Sequence, residues 1–305
     1  MPLVSLLIPV YSSRFFEATL ASALAQTFSD IEIIISDDTP NNDIENIVVR
    51  SAANRVKYIR NPQRLGFHGN FAHCFTLALG RYIKFLNHDD LLHPECVAKM
   101  VAAFEKFGEQ ITLVAARRHI INEAGASLPD SAATLPLSNK DSIVKGKSFG
   151  DHLLMCSVNL VGEPSVGMFR KSDVPLQSGT LFRIQRQEYT CLADLVLWLR
   201  LLARGDMAYF AQPLSYIRMH GAQLQQSDEV AARCVTERLY LPGDARTLGF
   251  LEDEQRYALA LQNGANLVRQ GLTASNLSPT ARQLLEEAAR EISLGPINES
   301  GRPLS

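Results

Sequence analysis

Residues 81–94 read RYIKFLNHDDLLHP, an apolar run that ends abruptly in two adjacent carboxylates. Tyr82, Ile83, Phe85 and Leu86 have the character of a strand, Asn87, His88, Asp89 and Asp90 form a polar tip, and Pro94 is suited to open a helix. In open α/β sheets ligands bind beyond the carboxyl ends of the strands. A pair of aspartates at such an end can take a hard divalent cation and, through it, a phosphate. The same residues also suit an ordinary Asx turn that caps the following helix.

Outward from this stretch the chain alternates between strand-like and helix-like segments. Val4 to Val10, Ile31 to Ser36 and Val56 to Arg60 read as strands, and Phe15 to Gln26, Ile44 to Ser51 and Gly69 to Leu79 as helices. SLLIPV and IEIIIS are nearly continuous apolar runs, the pattern of strands covered on both faces. A Rossmann-like, mostly parallel sheet flanked by helices follows, with the tips SS, DDTPNN and NHDD along one edge. A helix is expected from Pro94 to Phe107 and a strand from Ile111 to Ala116, before a Ser-, Ala- and Pro-rich stretch near 122–142. Asp194, Leu195, Leu197, Trp198, Leu201 and Leu202 mark an amphipathic helix in a middle region suited to an acceptor pocket. From Asp228 the pattern is helical, with Ala258, Leu261, Ala265, Val268 and Leu272 in one series and Ala281, Leu284, Leu285, Ala288 and Ile292 in another. The closing NESGRPLS reads as a loose end.

The 305 residues carry 30 Lys and Arg against 32 Asp and Glu, a formal charge of -2. So even a balance supplies no general field for nucleic acid or an anionic membrane, and any phosphate site must be local. Cys74, Cys96, Cys156, Cys191 and Cys234 are odd in number, with no CxxC pair, and read as reduced core residues. No run approaches a membrane span, and MPLVSLLIPVYSS lacks the features of a signal peptide, so a cytoplasmic location is expected.

Pro9 and Tyr11 follow the first strand, where a tyrosine can stack on a nucleobase with its hydroxyl in water, or pack beneath a loop. Asp37 and Asp38 end the second strand, where a carboxylate can bind ribose or base, or cap a helix through Asn41 to Asn46. Arg64, Gly66 and Asn70, at the start of the helix after the third strand, can shape the same pocket.

The stretch VSLLIPVYSSRFFEATLASALAQTFSDIEIIISDDTPNND, with NPQRLGFHGNFAHCFTLALGRYIKFLNHDDLLHPE, resembles the family 2 glycosyltransferases of the GT-A fold. The resemblance is strong over residues 3–110 and looser to 222, and it implies a GT-A domain over 1–222 with a nucleotide-binding half to 110 and an acceptor-binding half from 111. A small helical extension over 223–305 completes the expected domain organisation. By the resemblance Pro9, Val10, Tyr11 and Asp38 line the nucleotide pocket, Asp37 supports it, and Asp89 and Asp90 hold the metal position of the family's Asp-x-Asp motif. Asn87 stands where the family has its first acid. GEPSVGMFRKS and CLADLVLWLRLLARGDMAYFAQPLSYIRMHG look like the family's acceptor half, in which the acid before the Trp-containing helix is the catalytic base. The matching residue is Asp194, ahead of Glu163 and Glu188. In YIRMHG, Arg218 falls where a diphosphate is clamped, and His220 where a histidine meets the metal.

The resemblance implies an inverting transfer of a sugar from a nucleoside diphosphate donor, with UDP the expected nucleotide. The acceptor would be a glycan or lipid-linked hydroxyl in bacterial surface polysaccharide synthesis, and the cofactor Mn²⁺ or Mg²⁺. The alternative is a non-catalytic nucleotide-sugar or glycan-binding GT-A module, to which Asn87 points. A nucleotidyltransferase would need a glycine-rich, basic phosphate loop that PVYSSRFF does not offer. The helical tail is a candidate for a homodimer contact or for peripheral association with the inner face of the membrane.

Overall fold

A computed structural model describes residues 1–51, 54–131, 134–221 and 227–293 of the chain. The first elements alternate: β1 (Val4–Val10), α1 (Phe16–Leu24), β2 (Ile31–Asp37), α2 (Asp43–Ser51), β3 (Val56–Arg60), α3 (Gly66–Leu77) and β4 (Tyr82–Phe85). Then come β5 (Leu91–Leu92), α4 (Cys96–Phe107), β6 (Ile111–Ile121), β7 (Ser142–Val144), α5 (Gly146–Cys156) and β8 (Gly167–Arg170). The last are β9 (Arg183–Ile184), β10 (Gln187–Glu188), α6 (Ala193–Leu202), β11 (Asp206–Arg218), α7 (Asp228–Arg246), α8 (Glu254–Leu272) and α9 (Pro279–Ser293). NESGRPLS lies outside the described residues.

These elements group into two compact units. The first comprises residues 1–145, 160–181 and 204–219, and the second 146–159, 182–203 and 220–305. The helical extension expected after residue 222 is thus joined by α5, by the β9–β10 hairpin and by α6.

The first unit is built on one sheet in the order β3-β2-β1-β4-β8-β6-β11-β5, with β7 beside β11. β1 pairs in parallel with β2 and β4, and β2 with β3. β8 is antiparallel to both β4 and β6, and β11 runs parallel to β6. Two reversals restore the direction, so β6 and β11 end on the same edge as β1, β2 and β4. The segment that enters β8 begins on that edge too.

Alternation along the strands builds the core. Val4, Leu6, Ile8 and Val10 of β1 and Ile31, Ile33 and Ile35 of β2 pack with Phe16 and Leu20 of α1 and with Met100 and Phe104 of α4. On the other face Phe71 of α3 meets Phe85 with ring centres 4.9 Å apart, and Phe75 meets Phe169 at 6.5 Å. Each fully buried side chain of this size contributes roughly 1.5–3 kcal/mol. Both faces are packed, so a one-residue slip would exchange the two sets of side chains and mismatch each against the opposite helices, which is what holds the register.

The second unit has its own small apolar clusters, in which Leu239 of α7, Val268 of α8 and Ala288 of α9 meet, as do Ala232, Ala281 and Leu285. Trp198 of α6 is fully buried. Cys74 and Cys96 are buried free thiols, as the sequence suggests, and Cys156 is a half-buried one. Cys191 and Cys234 are instead disulfide-bonded, their Cα atoms 5.1 Å apart across 43 residues of sequence. The expectation of reduced cysteines fails there because α7 packs beside the segment before α6, which spacing in the sequence does not reveal. Among the described residues no helix is long and apolar enough to cross a membrane.

At the turn from α3 into β4 the chain passes close against the backbone of β1. A Cβ on Gly80 would lie 2.5 Å from the Ser5 nitrogen and 2.7 Å from the Val4 carbonyl carbon, atoms that cannot move aside. Gly80→Ala is expected to destabilise the chain by about 1–3 kcal/mol in a urea titration. An unchanged midpoint would show that β1 and this turn are not so closely locked.

Candidate functional site

The site begins where β1 stops. Val10 is buried, and its carbonyl accepts hydrogen bonds from the Asp38 backbone N–H at 3.0 Å and the Asn70 amide at 3.2 Å. Tyr11 follows, half-buried, with its ring 5.4 Å from that of His88 and 6.5 Å from Phe67. Its hydroxyl donates to the Phe67 carbonyl in the first turn of α3 at 3.3 Å. Burial, followed by the charges of Cys74 and Asp38, pushes the phenol far above its ordinary value. The exposed Arg64 acts on Tyr11 with the opposite sign.

The two acids at the end of β2 divide their work. Asp37 is fully buried and accepts from the Thr39 N–H at 2.8 Å, the Thr39 hydroxyl at 2.7 Å and the Tyr58 hydroxyl at 2.8 Å. Asp38 accepts from the Asn61 amide at 2.7 Å and from the Leu65 and Gly66 N–H groups at 3.1 and 2.8 Å. It therefore caps α3, not the helix that follows it in sequence. Asn61 ties this carboxylate to Ser36 and Asn70.

The acidic tip is held more firmly still. Asp90 is 2 % exposed. Its Oδ2 accepts from the Ser165 hydroxyl at 2.6 Å and the Asn87 amide at 3.1 Å, and its Oδ1 from the Arg218 N–H at 3.0 Å. Burial, then the charge of Asp89, raises the Asp90 carboxyl well above the usual range. Asp89 is only half-buried. The Thr19 hydroxyl is 2.9 Å from the carbonyls of both His88 and Asp90, tying the tip to α1.

Arg218 is 4 % exposed, and its guanidinium donates to the carbonyls of Asp89 at 2.8 Å, Asn122 at 3.0 Å and Glu123 at 2.9 Å, while lying 4.7 Å from the centre of the Phe15 ring. It braces the Asp89 loop from behind. Beside it Arg118 and Glu163 form an ion pair at 3.1 Å.

Ser165 is the residue a sequence reading passes over. It is fully buried, and its hydroxyl also receives the Asn87 N–H at 2.9 Å, while its carbonyl accepts from the Ser215 hydroxyl at 2.5 Å and from the fully buried Lys84 ammonium. Burial lowers the Lys84 ammonium, and the charges of Cys96 and Asp90 oppose that. Only the polarity of Lys84 inside an apolar strand hints at this node.

Asp194 and His220 belong to the second unit. Asp194 lies in the first turn of α6, where its Oδ1 accepts the Leu195 N–H at 2.7 Å. Glu188 on β10 pairs with Arg183 at 3.3 Å. Among the described residues no three His, Cys, Asp or Glu side chains cluster as a ready-made metal cage. The half-buried Asp89 carboxylate, in the tip, is the group that would hold a divalent cation, which takes oxygen ligands.

A family model described as glycosyl transferase family 2 matches residues 5–170. An uncharacterised protein of Mycobacterium tuberculosis is 26% identical over 239 residues, covering 76% of this chain and 72% of its own length. Over 91 residues the chain is 40% identical to WfaP of Escherichia coli, a UDP-Glc:alpha-D-GlcNAc-diphosphoundecaprenol beta-1,3-glucosyltransferase; the match covers 30% of this chain and 36% of that protein. Several Rickettsia relatives are longer, and the chain spans 20% to 40% of their length. Among solved structures, residues 1–349 of S. aureus TarS in complex with UDP superpose with a TM-score of 0.61 at 12% identity, over 96% of this chain and 82% of that one. That likeness is one of fold.

The two acids of the tip should separate in stability measurements. Asp90→Ala strips two buried donors, the Ser165 hydroxyl and the Arg218 N–H, and the half-buried Asn87 amide of their acceptor, and is expected to cost about 2–4 kcal/mol. Asp89→Ala is expected to cost clearly less, because Asp89 is only half-buried. Equal losses in chemical denaturation would show that the tip is not divided in this way.

Proposed function

The chain belongs to glycosyl transferase family 2, and from that premise we propose that it transfers a sugar from a nucleoside diphosphate donor, UDP first, to a hydroxyl of a glycan or lipid-linked acceptor. The observation that carries this reading is the gathering of Tyr11, Asp38 and the Asp89 tip at the carboxyl ends of three neighbouring parallel strands, with Arg64 after a fourth, β3, where α/β sheets bind nucleotides. The name of WfaP, with its UDP-glucose donor and diphosphoundecaprenol-linked acceptor, supports both substrate classes. Bacterial surface polysaccharide synthesis at the cytoplasmic face of the membrane is the setting consistent with such an acceptor.

In this proposal the first unit binds and orients the donor. Pro9, Val10 and Tyr11 form one wall of the nucleotide pocket, Asp38 fixes its floor, and Asp37 supports Asp38 from the core. Arg64, exposed, offers a positive charge toward the diphosphate. Asp89 would hold a divalent cation, Mn²⁺ or Mg²⁺, which supplies charge neutralisation at a departing diphosphate. Asp90 and Arg218 serve by holding that loop still, and His220 is kept as a further candidate ligand. Asp194 takes the proton from the acceptor hydroxyl as its oxygen displaces the diphosphate, which inverts the anomeric carbon in one step.

A thermal-shift screen with UDP, GDP and dTDP, each with and without Mn²⁺, tests the donor half. Stabilisation by UDP that grows with Mn²⁺ is expected, and Asp89→Ala should abolish the Mn²⁺-dependent part while leaving the rest. No response to any nucleotide would sink the reading.

Asp194→Asn tests the chemical half. Turnover of a UDP-sugar should fall by about 10² to 10⁴-fold with UDP binding retained. Normal turnover would remove Asp194 from the mechanism, and binding without any turnover in the parent chain would favour the non-catalytic module.

A further inference from the structure

Helix α6 starts badly by its own sequence. Its N-cap position is Leu192, which has no side-chain acceptor to offer, yet Asp194 stands in its first turn. The missing acceptor comes from α7. The Glu237 carboxylate accepts the Thr190 N–H at 2.9 Å on one oxygen, and the Cys191 and Leu192 N–H groups at 2.9 and 2.8 Å on the other. Three consecutive amides aimed at one anion form a nest, occupied here by a side chain that is 7 % exposed.

Two further bonds join α7 to the same short segment. Cys234 is bonded to Cys191, and Asp244 accepts the Tyr189 hydroxyl at 2.7 Å, with Tyr189 fully buried. Cys234, Glu237, Leu241 and Asp244 are spaced three, four and three apart, so they share one face of α7. Arg238, the residue after Glu237, feels the charge of Asp194 and donates to the Ser157 carbonyl. All four residues of 189–192 are thus gripped or flanked by one stripe, immediately before the aspartate.

We propose that Glu237 is a positioning residue for Asp194: it fixes the turn of backbone from which the Asp194 side chain is presented, making the C-terminal helices part of the transfer machinery. The proposal rests on Asp194 being the base. Nothing in it requires Glu237 to touch a substrate. Without its carboxylate three amides lose their acceptor together, and the first turn of α6 is free to settle elsewhere. A displacement of about 1 Å at a catalytic group is enough to lower the rate by roughly a hundredfold.

The test is a double-mutant cycle on the full chain, read as UDP release from UDP-glucose and UDP-N-acetylglucosamine with Mn²⁺. Glu237→Gln is expected to lower kcat by about 10–100-fold with donor KM nearly unchanged, and to speed amide exchange in residues 189–196 and not in β1 or β2. In the Asp194→Asn background the same change should cost nothing further, because its effect runs through Asp194. Losses that multiply, or a Glu237→Gln chain with parental kcat while Asp194→Asn remains impaired, would overturn the proposal. Parental turnover in Asp194→Asn would instead remove the reading beneath it. Tyr189→Phe, which keeps the ring and loses only the bond to Asp244, gives a milder loss of kcat in the same cycle and decides the matter if Glu237→Gln fails to fold.

Discussion

Asp90 is the point on which the first unit turns. A carboxylate at 2 % exposure is costly to bury, and it persists because donors reach it from Asn87 in its own loop and from two distant segments, Ser165 before β8 and the backbone of Arg218 at the end of β11. Those segments meet only because β8 runs against its neighbours and thereby starts at the edge where β4 and β11 end. The strand order and the acidic tip are one constraint seen at two scales. Arg218 completes it by binding the Asp89 carbonyl, so the loop is braced through both main chain and side chain.

The same logic explains why adjacent acids differ. Asp37 and Asp90 face inward, where each must be matched by buried donors, and they act as struts. Asp89 stands one residue away and half-buried, whereas Asp38, though it follows the strand, is itself enclosed by Asn61 and by the backbone that opens α3. Net hydrogen-bond energies of about 1 kcal/mol each would not hold a charged tip in place singly. The cost of leaving several buried partners unsatisfied at once does.

In the second unit the governing contact is of another kind. α6 carries a fully buried tryptophan and a stripe of leucines, so packing fixes its body, but its first turn has no cap of its own. Glu237 supplies one from a helix more than thirty residues later, and the Cys191–Cys234 bond lies beside it. The C-terminal helices pack on one another through small apolar clusters, with α7 turning its polar stripe to the segment before α6.

Apolar periodicity and punctuation were enough to read the strands Val4–Val10 and Val56–Arg60, the helices around them, the long C-terminal helices and the edge on which the polar tips gather. Such features are local, since a strand buried on both faces must be apolar whatever its partners. The candidate acids were legible for the same reason, as charges at the ends of apolar runs. The sequence could not say that Asp90 and not Asp89 turns inward, that Ser165 and Lys84 would anchor the tip, that Asp38 would cap α3, or that Cys191 would find Cys234. Each of these depends on the meeting of residues far apart in the chain, and only the tertiary fold decides which buried polar group satisfies which.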